Sequence, residues 1–237
     1  MTTAKIKKIL LTACLIGGFA HAGEAEVKKA WDANIKIPVT SVAKAGYLGL
    51  YEVFAGGEVY YTDEKVSAVL HGELIDAKSR QNITQARLQK LTAIKFSDLP
   101  LEQAIKQVRG TGKRVFATFE DPNCGYCKRL ARDMSSLDDV TIYTFLYPIL
   151  SPDSKEKSER IWCSQDKAKT WNDWMIRGVE PPAKPAACDA GAVAKNAELG
   201  GRLGIRGTPN LFFVNGERAP GAIPVAEIEN RLKTATR

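Results

Sequence analysis

The amino-acid sequence predicts an α+β protein: a small antiparallel N-terminal unit, a linker helix, and a C-terminal α/β unit with a helical insertion. Three observations carry that reading. Short β-rich segments separated by glycines or charged turns fill residues 39–75, too few for a comfortable core of their own. An apolar run, Val115 to Phe119, reads as a buried strand and leads into helix-forming sequence. Near the C-terminus a strand, an Asn215-Gly216 turn and an amphipathic helix follow one another. At 237 residues and 44% hydrophobic content, the chain is long enough for one or two globular domains.

Met1 to Ala22 has the layout of a secretory signal. Lys5, Lys7 and Lys8 form the charged region, Ile9 to Phe19 the apolar region, and Ala20-His21-Ala22 an A-x-A cleavage site. Leu11-Thr12-Ala13-Cys14 resembles a lipoprotein box, but its apolar core, Ile9 to Ala13, is very short. Glu24 to Ile35 then reads as an amphipathic helix through Val27, Ala30, Trp31 and Asn34. Val39–Val42, Leu48–Phe54, Glu58–Thr62 and Ser67–Ile75 read as strands, with Gly56-Gly57 as a hairpin turn and Asp63-Glu64-Lys65 as another. The long last strand offers an open edge for a second copy of the chain or for the rest of this one.

Asn82-Ile83-Thr84 is formally a glycosylation sequon, and Thr84 is expected to cap a helix over Gln85–Ile94, with Leu88 and Leu91 on its apolar side. Ser97-Asp98-Leu99-Pro100 predicts a further helix, Leu101 to Arg109, ended by Gly110 and Gly112. The strand at Val115–Phe119, a helix over Lys128–Met134 and a strand over Val140–Tyr147 come next. Ser151 to Leu203 is helical in pattern, broken at Pro181-Pro182-Ala183-Lys184-Pro185, and Trp162, Trp171 and Trp174 read as its core. Asn210–Val214 forms a strand, Pro220-Gly221 a turn and Pro224–Thr234 the last helix.

The chemistry concentrates at Cys124-Gly125-Tyr126-Cys127, between strand and helix, which is the sequence sign of a thioredoxin-like redox site. Unpaired N–H groups and the helix dipole favour an anion there, so the Cys124 thiol should ionise at reduced pH. Cys127, one turn on, shares its side of the helix and is placed to close a disulfide. Lys128 and Arg129 are expected to add a little to thiolate stability. A zinc site would need Cys163 and Cys188 as a second close pair, and 24 residues separate them.

Removing residues 1–22 takes away three lysines and no acid, lowering the net charge from +7 to +4, and no basic block with interleaved aromatics points to nucleic acid. Four cysteines then remain, an even number in an exported chain, so two disulfides are the natural pairing. A Cys163–Cys188 bridge would stabilise by roughly 3.5 kcal/mol on the chain-entropy model. Only His71 remains among the histidines, remote from the cysteine pair, so no metal and no cofactor is expected.

Phe119 to Leu130, with its Cys-Gly-Tyr-Cys centre, resembles the active site of bacterial thiol:disulfide interchange proteins of the DsbC/DsbG type, and Gly207-Thr208-Pro209 resembles their Thr–cis-Pro loop. The glycine at Gly125 is similar to DsbC; DsbG has proline there. The resemblance covers the whole chain after the signal. It implies a signal peptide at 1–22, an N-terminal dimerisation domain at 23–82, a linker helix at 83–96 and a thioredoxin-like domain at 97–237 with an insertion at about 151–203. It also implies a V-shaped periplasmic homodimer, a DsbD-type membrane reductase, and a structural disulfide between Cys163 and Cys188.

On that basis Cys124 is the expected exposed nucleophile and Cys127 the buried resolving thiol, with Gly125, Tyr126, Thr208 and Pro209 as active-site support. Clients would be exported proteins carrying non-native disulfides. The competing readings are a DsbG-like reductase of sulfenylated cysteines and a dimeric chaperone for which client binding matters more than the thiols.

Overall fold

The computed structural model describes residues 22–235, so the signal reading falls outside the described residues except for Ala22. The chain divides into two compact units between Gly72 and Glu73.

In the first unit, helix α1 (Ala22–Asn34) buries Val27 and Trp31, one turn apart, against a four-stranded antiparallel sheet. Its strands, β1 (Val39–Lys44), β2 (Tyr51–Ala55), β3 (Glu58–Thr62) and β4 (Val69–His71), lie in the order β1-β2-β3-β4. Trp31 fills the core with Val53, Ala55 and Tyr60 and satisfies its indole N–H on Ile37 O at 3.0 Å. Gly56 and Gly57 both take positive φ, which the two-residue turn joining Ala55 to Glu58 requires.

The expected long strand over Ser67–Ile75 is only three residues. Beyond His71 the backbone finds other partners: Leu74 N donates to Thr84 Oγ1, Ile83 N donates to Leu74 O, and Ile75 bridges Asn82. That arrangement also corrects the expected cap. Helix α2 (Ile83–Leu91) is capped by Asn82, whose side chain accepts from Gln85 N at 2.9 Å, while the buried Thr84 hydroxyl serves Leu74.

The second unit holds a five-stranded sheet, β5 (Ile105–Arg109), β6 (Arg114–Glu120), β7 (Val140–Leu146), β8 (Asn210–Phe213) and β9 (Arg218–Pro220), ordered β5-β7-β6-β8-β9. Only β6 and β7 run parallel, and α3 (Gly125–Asp133) makes their crossover. Phe116, Ile142 and Phe213 pack under α3 and α7 (Val225–Ala235). Phe119, Phe145 and Phe212 face the other side, with Phe119 stacked on Phe145 at 4.6 Å. Both faces of β6 are covered, hence its nearly unbroken apolar sequence. Helices α4 (Pro152–Trp162), α5 (Lys167–Arg177) and α6 (Gly191–Arg202) form the expected insertion between β7 and β8.

The helix expected over Leu101–Arg109 is a correction. Residues 96–98 and 101–103 form single 3-10 turns, and Ile105–Arg109 is the edge strand β5, antiparallel to β7. Leu101, Ile105 and Val108 mimic a helical stripe, but only Ile105 is fully buried and Val108 faces out. Five residues paired to a strand outweigh a weak local helical preference.

Candidate active site

Strand β6 ends at Glu120, and the three residues after it are bound at several points. Asp121 is buried and its carboxylate accepts from Asn123 N (2.8 Å), Ile149 N (2.9 Å) and Leu150 N (3.0 Å). Trp174 of α5 donates its indole N–H to Pro122 O at 2.6 Å. Asn123 donates to Asp153 Oδ2 at 2.6 Å and to Ser154 Oγ at 3.2 Å, both in the first turn of α4. Asp-Pro-Asn before the cysteine pair carried a turn signal of the Asx kind, but its anchors on β7–α4 and α5 lie 25 or more residues away. They were not legible from spacing.

Those anchors deliver Cys124 to the N-cap of α3, where its Sγ accepts from Cys127 N at 3.3 Å. Gly125 and Tyr126 are exposed in the first turn, Tyr126 at 69%; Cys127 is fully buried as expected, but Cys124, expected to be exposed, is only 5% so because the Thr208 loop covers it. Cys124 Sγ also lies 3.3 Å from Thr208 O, its thiol donating to that carbonyl. The Thr208–Pro209 bond is cis. The six residues singled out from the sequence for the site thus come together at the end of β6, the start of α3 and the loop before β8.

The two thiols differ in electrostatics. Hydrogen bonding from the Cys127 thiol, then from Thr208 and the first-turn amides, outweighs burial and brings the Cys124 thiol down to about 6. Burial pushes the Cys127 thiol far up, reinforced by its bond to Cys124 and by the charge of Glu120. The expected help from Lys128 and Arg129 takes another form: Lys128 sits over the Trp174 ring at 4.0 Å and Arg129 reaches Asp133 at 3.6 Å. The aromatic core reading holds fully for Trp171; Trp162 and Trp174 are half-buried, each under a lysine. Beside the first turn, Tyr126, Arg129, Ile223 and Pro224 line an open depression of about 370 Å³.

The remaining cysteines are joined. Cys163, the C-cap of α4, is bonded to Cys188, Cα to Cα 5.9 Å apart. The proline-rich segment between them is drawn onto α4 by Arg160, which donates to the carbonyls of Pro181 and Pro182, and by a Lys184–Glu159 ion pair at 2.7 Å.

Comparisons with known proteins agree with this architecture. Residues 18–85 match the disulfide bond isomerase protein N-terminal domain, and residues 101–236 match a thioredoxin-like domain. A probable thiol:disulfide interchange protein DsbC of Bordetella parapertussis is 53% identical over 194 residues, 82% of this chain and 68% of that one. The thiol:disulfide interchange protein DsbC of Escherichia coli K12 is 27% identical over 221 residues, 91% of this chain and 89% of that one. A disulfide interchange protein from Neisseria gonorrhoeae, known from its crystal structure, is 40% identical with a TM-score of 0.55, covering 59% of this chain and 99% of that one.

Proposed function

The chain belongs to the thiol:disulfide interchange proteins of the DsbC type, and from that premise we propose that it rearranges incorrect disulfides in exported proteins through Cys124 and Cys127. The observation that carries the reading is the split between the two thiols. Hydrogen bonding from Cys127 lowers the Cys124 thiol to about 6, so at neutral pH the thiolate outweighs the protonated form that donates to Thr208 O, while burial holds Cys127 protonated. The Cys124 thiolate attacks a client disulfide and forms a mixed disulfide, releasing one client thiolate. If a client thiolate then attacks the client sulfur of that bond, the client is isomerised and Cys124 leaves reduced. If Cys127 attacks Cys124 instead, the client is reduced and the Cys124–Cys127 disulfide remains, to be opened again by a membrane dithiol reductase of the DsbD type.

Thr208 and Pro209 support the site by presenting backbone to an extended client segment, and Gly125 and Tyr126 shape its rim. Cys163 and Cys188 serve as a structural disulfide. The protein works in the periplasm after cleavage of its signal near Ala22, as a homodimer formed through residues 23–82. In support of the dimer, β4 is an outer strand of its sheet and Leu70 on it is exposed. Residues 83–96 act as the linker, helical over Ile83–Leu91 rather than throughout, and 97–237 as the redox domain.

Refolding of scrambled ribonuclease tests the reading: the reduced protein should restore activity catalytically, and a double Cys124→Ser, Cys127→Ser variant should not. A variant that still suppresses aggregation of a reduced client, alongside a wild type without isomerase turnover, would favour the chaperone reading. A monomer in light scattering would end the dimer proposal.

A further inference from the structure

We propose that Trp174 is a positioning residue for the reactive thiol: its indole N–H holds the Pro122–Asn123 turn in the form that sets Cys124 at the open end of α3. This rests on the exchange reading above and adds to it a residue that acts through the backbone. Trp174 belongs to α5 of the helical insertion and is half-buried. Its contacts run to the three residues before the nucleophile and to the two helices on either side of them in sequence.

The turn is short and tied at each residue. Cys124 N donates to Asp121 O at 3.1 Å and Asn123 N to Asp121 Oδ1 at 2.8 Å. Proline suits the second position of such a turn, because its ring presets φ. Pro122 is buried, and Trp174 Nε1 donates to its carbonyl at 2.6 Å. A buried carbonyl that loses its donor is costly, so without the indole the Pro122–Asn123 peptide would rotate toward water. Cys124 follows that peptide directly. Its extended backbone, φ −72° and ψ 118°, is what turns Sγ toward Cys127 N. A donor to sulfur favours the thiolate over the thiol, so loosening the turn weakens the thiolate.

The ring is itself held by charges from both neighbouring helices. Lys128 of α3 lies 4.0 Å from its centroid and Lys157 of α4 4.9 Å. Lys157 is paired with Asp153 at 2.7 Å and lies 3.9 Å from Glu180, and Asp153 accepts from Asn123 Nδ2 at 2.6 Å. A circuit therefore closes around the turn: Pro122 to Trp174, Trp174 to Lys157, Lys157 to Asp153, and Asp153 back to Asn123. Of the other charged groups nearby, Asp121 is turned to the loop amides, and Asp173, next to Trp174 in sequence, is engaged by Lys169 and Arg177. Trp171, one turn earlier on α5, supplies the contrast. It is fully buried with Ile161 and Met175 and fills the core.

The test follows the pH dependence of Cys124 alkylation in the wild type and two variants. Trp174→Phe keeps a ring for the two lysines and removes only the N–H. It should raise the midpoint by about half a pH unit, an about threefold loss of thiolate preference. Equilibrium with glutathione at neutral pH should move about threefold toward the disulfide, because the reduced form has lost that stabilisation. Trp171→Phe should lower the urea midpoint and leave the alkylation midpoint in place. A midpoint unmoved in W174F, or moved equally in W171F, overturns the proposal. A wild type that exchanges no protein disulfide overturns the exchange reading instead, and the midpoints still decide the role of Trp174. A measurement on wild type covers a variant that fails to fold. By reciprocity, ionising Cys124 should strengthen the indole bond, so the Trp174 indole N–H resonance should shift with the Cys124 midpoint. Methylating Cys124 should abolish that shift, and a resonance that ignores the titration overturns the proposal.

Discussion

The second unit contains two cysteine pairs with opposite characters, and the contrast shows what makes a thiol reactive. Cys124 caps the N-terminus of α3, where the Cys127 amide donates to its sulfur; Cys163 is the C-cap of α4, at the carbonyl end of its helix. The helix dipole thus favours a thiolate at the first and disfavours one at the second. Around Cys124 the chain supplies donors and a buried partner thiol. Around Cys163 and Cys188 it supplies a closed bridge, with the intervening prolines strapped to α4 by Arg160 and Lys184. Reactivity is a property of the position, not of the residue.

Mutation can break the contrast, and the largest effect should fall on turnover. Cys124→Ser should lower reduction of a protein disulfide by 10³-fold or more, since no other thiol is ionised at neutral pH in this site. Replacing both Cys163 and Cys188 with alanine should leave that rate within a few fold. The same double variant should lose roughly 3.5 kcal/mol in urea unfolding, following the loop-closure argument, while Cys124→Ser should lose far less.

Titration sharpens the contrast next. A thiol lowered to about 6 is ionised above that pH, so alkylation of Cys124 should level off above pH 6 and fall as pH drops below it. At pH 7 it should exceed an ordinary thiol by about 30-fold, since an unperturbed cysteine ionises near 8.5. Peptide mapping should find the label on Cys124 and not on Cys127. Asp121→Asn should cost roughly 2 kcal/mol, because an amide offers its NH₂ to one set of the backbone donors that the carboxylate now satisfies. It should also raise the midpoint of Cys124 alkylation by loosening the loop. The smallest effect belongs to Gly125→Ala. A Cβ there meets open space, so the change should stabilise the chain by about 0.4–1 kcal/mol through the unfolded state. Denaturant midpoints measure both variants.

The sequence was most legible where one residue type has few physical uses. Gly56-Gly57 reads as a tight turn because few residues accept two consecutive positive φ angles. The alternation of Phe116 and Phe119 about β6 marks a strand covered on both faces, and the cysteine pair after that strand puts Cys124 at a helix end. It was least legible where a stretch has two acceptable partners. Leu101–Arg109 carries a helical spacing yet pairs with β7, and Leu74–Ile75 carries strand residues yet pairs with residues 82–84.

The primary sequence alone determined the two-unit layout, the cysteine pair at a strand–helix junction and the parity that leaves Cys163 for Cys188. Each of these rests on local chemistry or on counting. Only the tertiary structure decided the rest. It brought Thr208 to Cys124 from 84 residues away, tied Asp121 to Ile149 and Leu150, and hung Trp174 on Pro122. It also buried Glu120 at the end of β6, where burial pushes its carboxyl up to about 8. Long-range contacts of this kind depend on which faces the sheet brings together, and no local propensity encodes them.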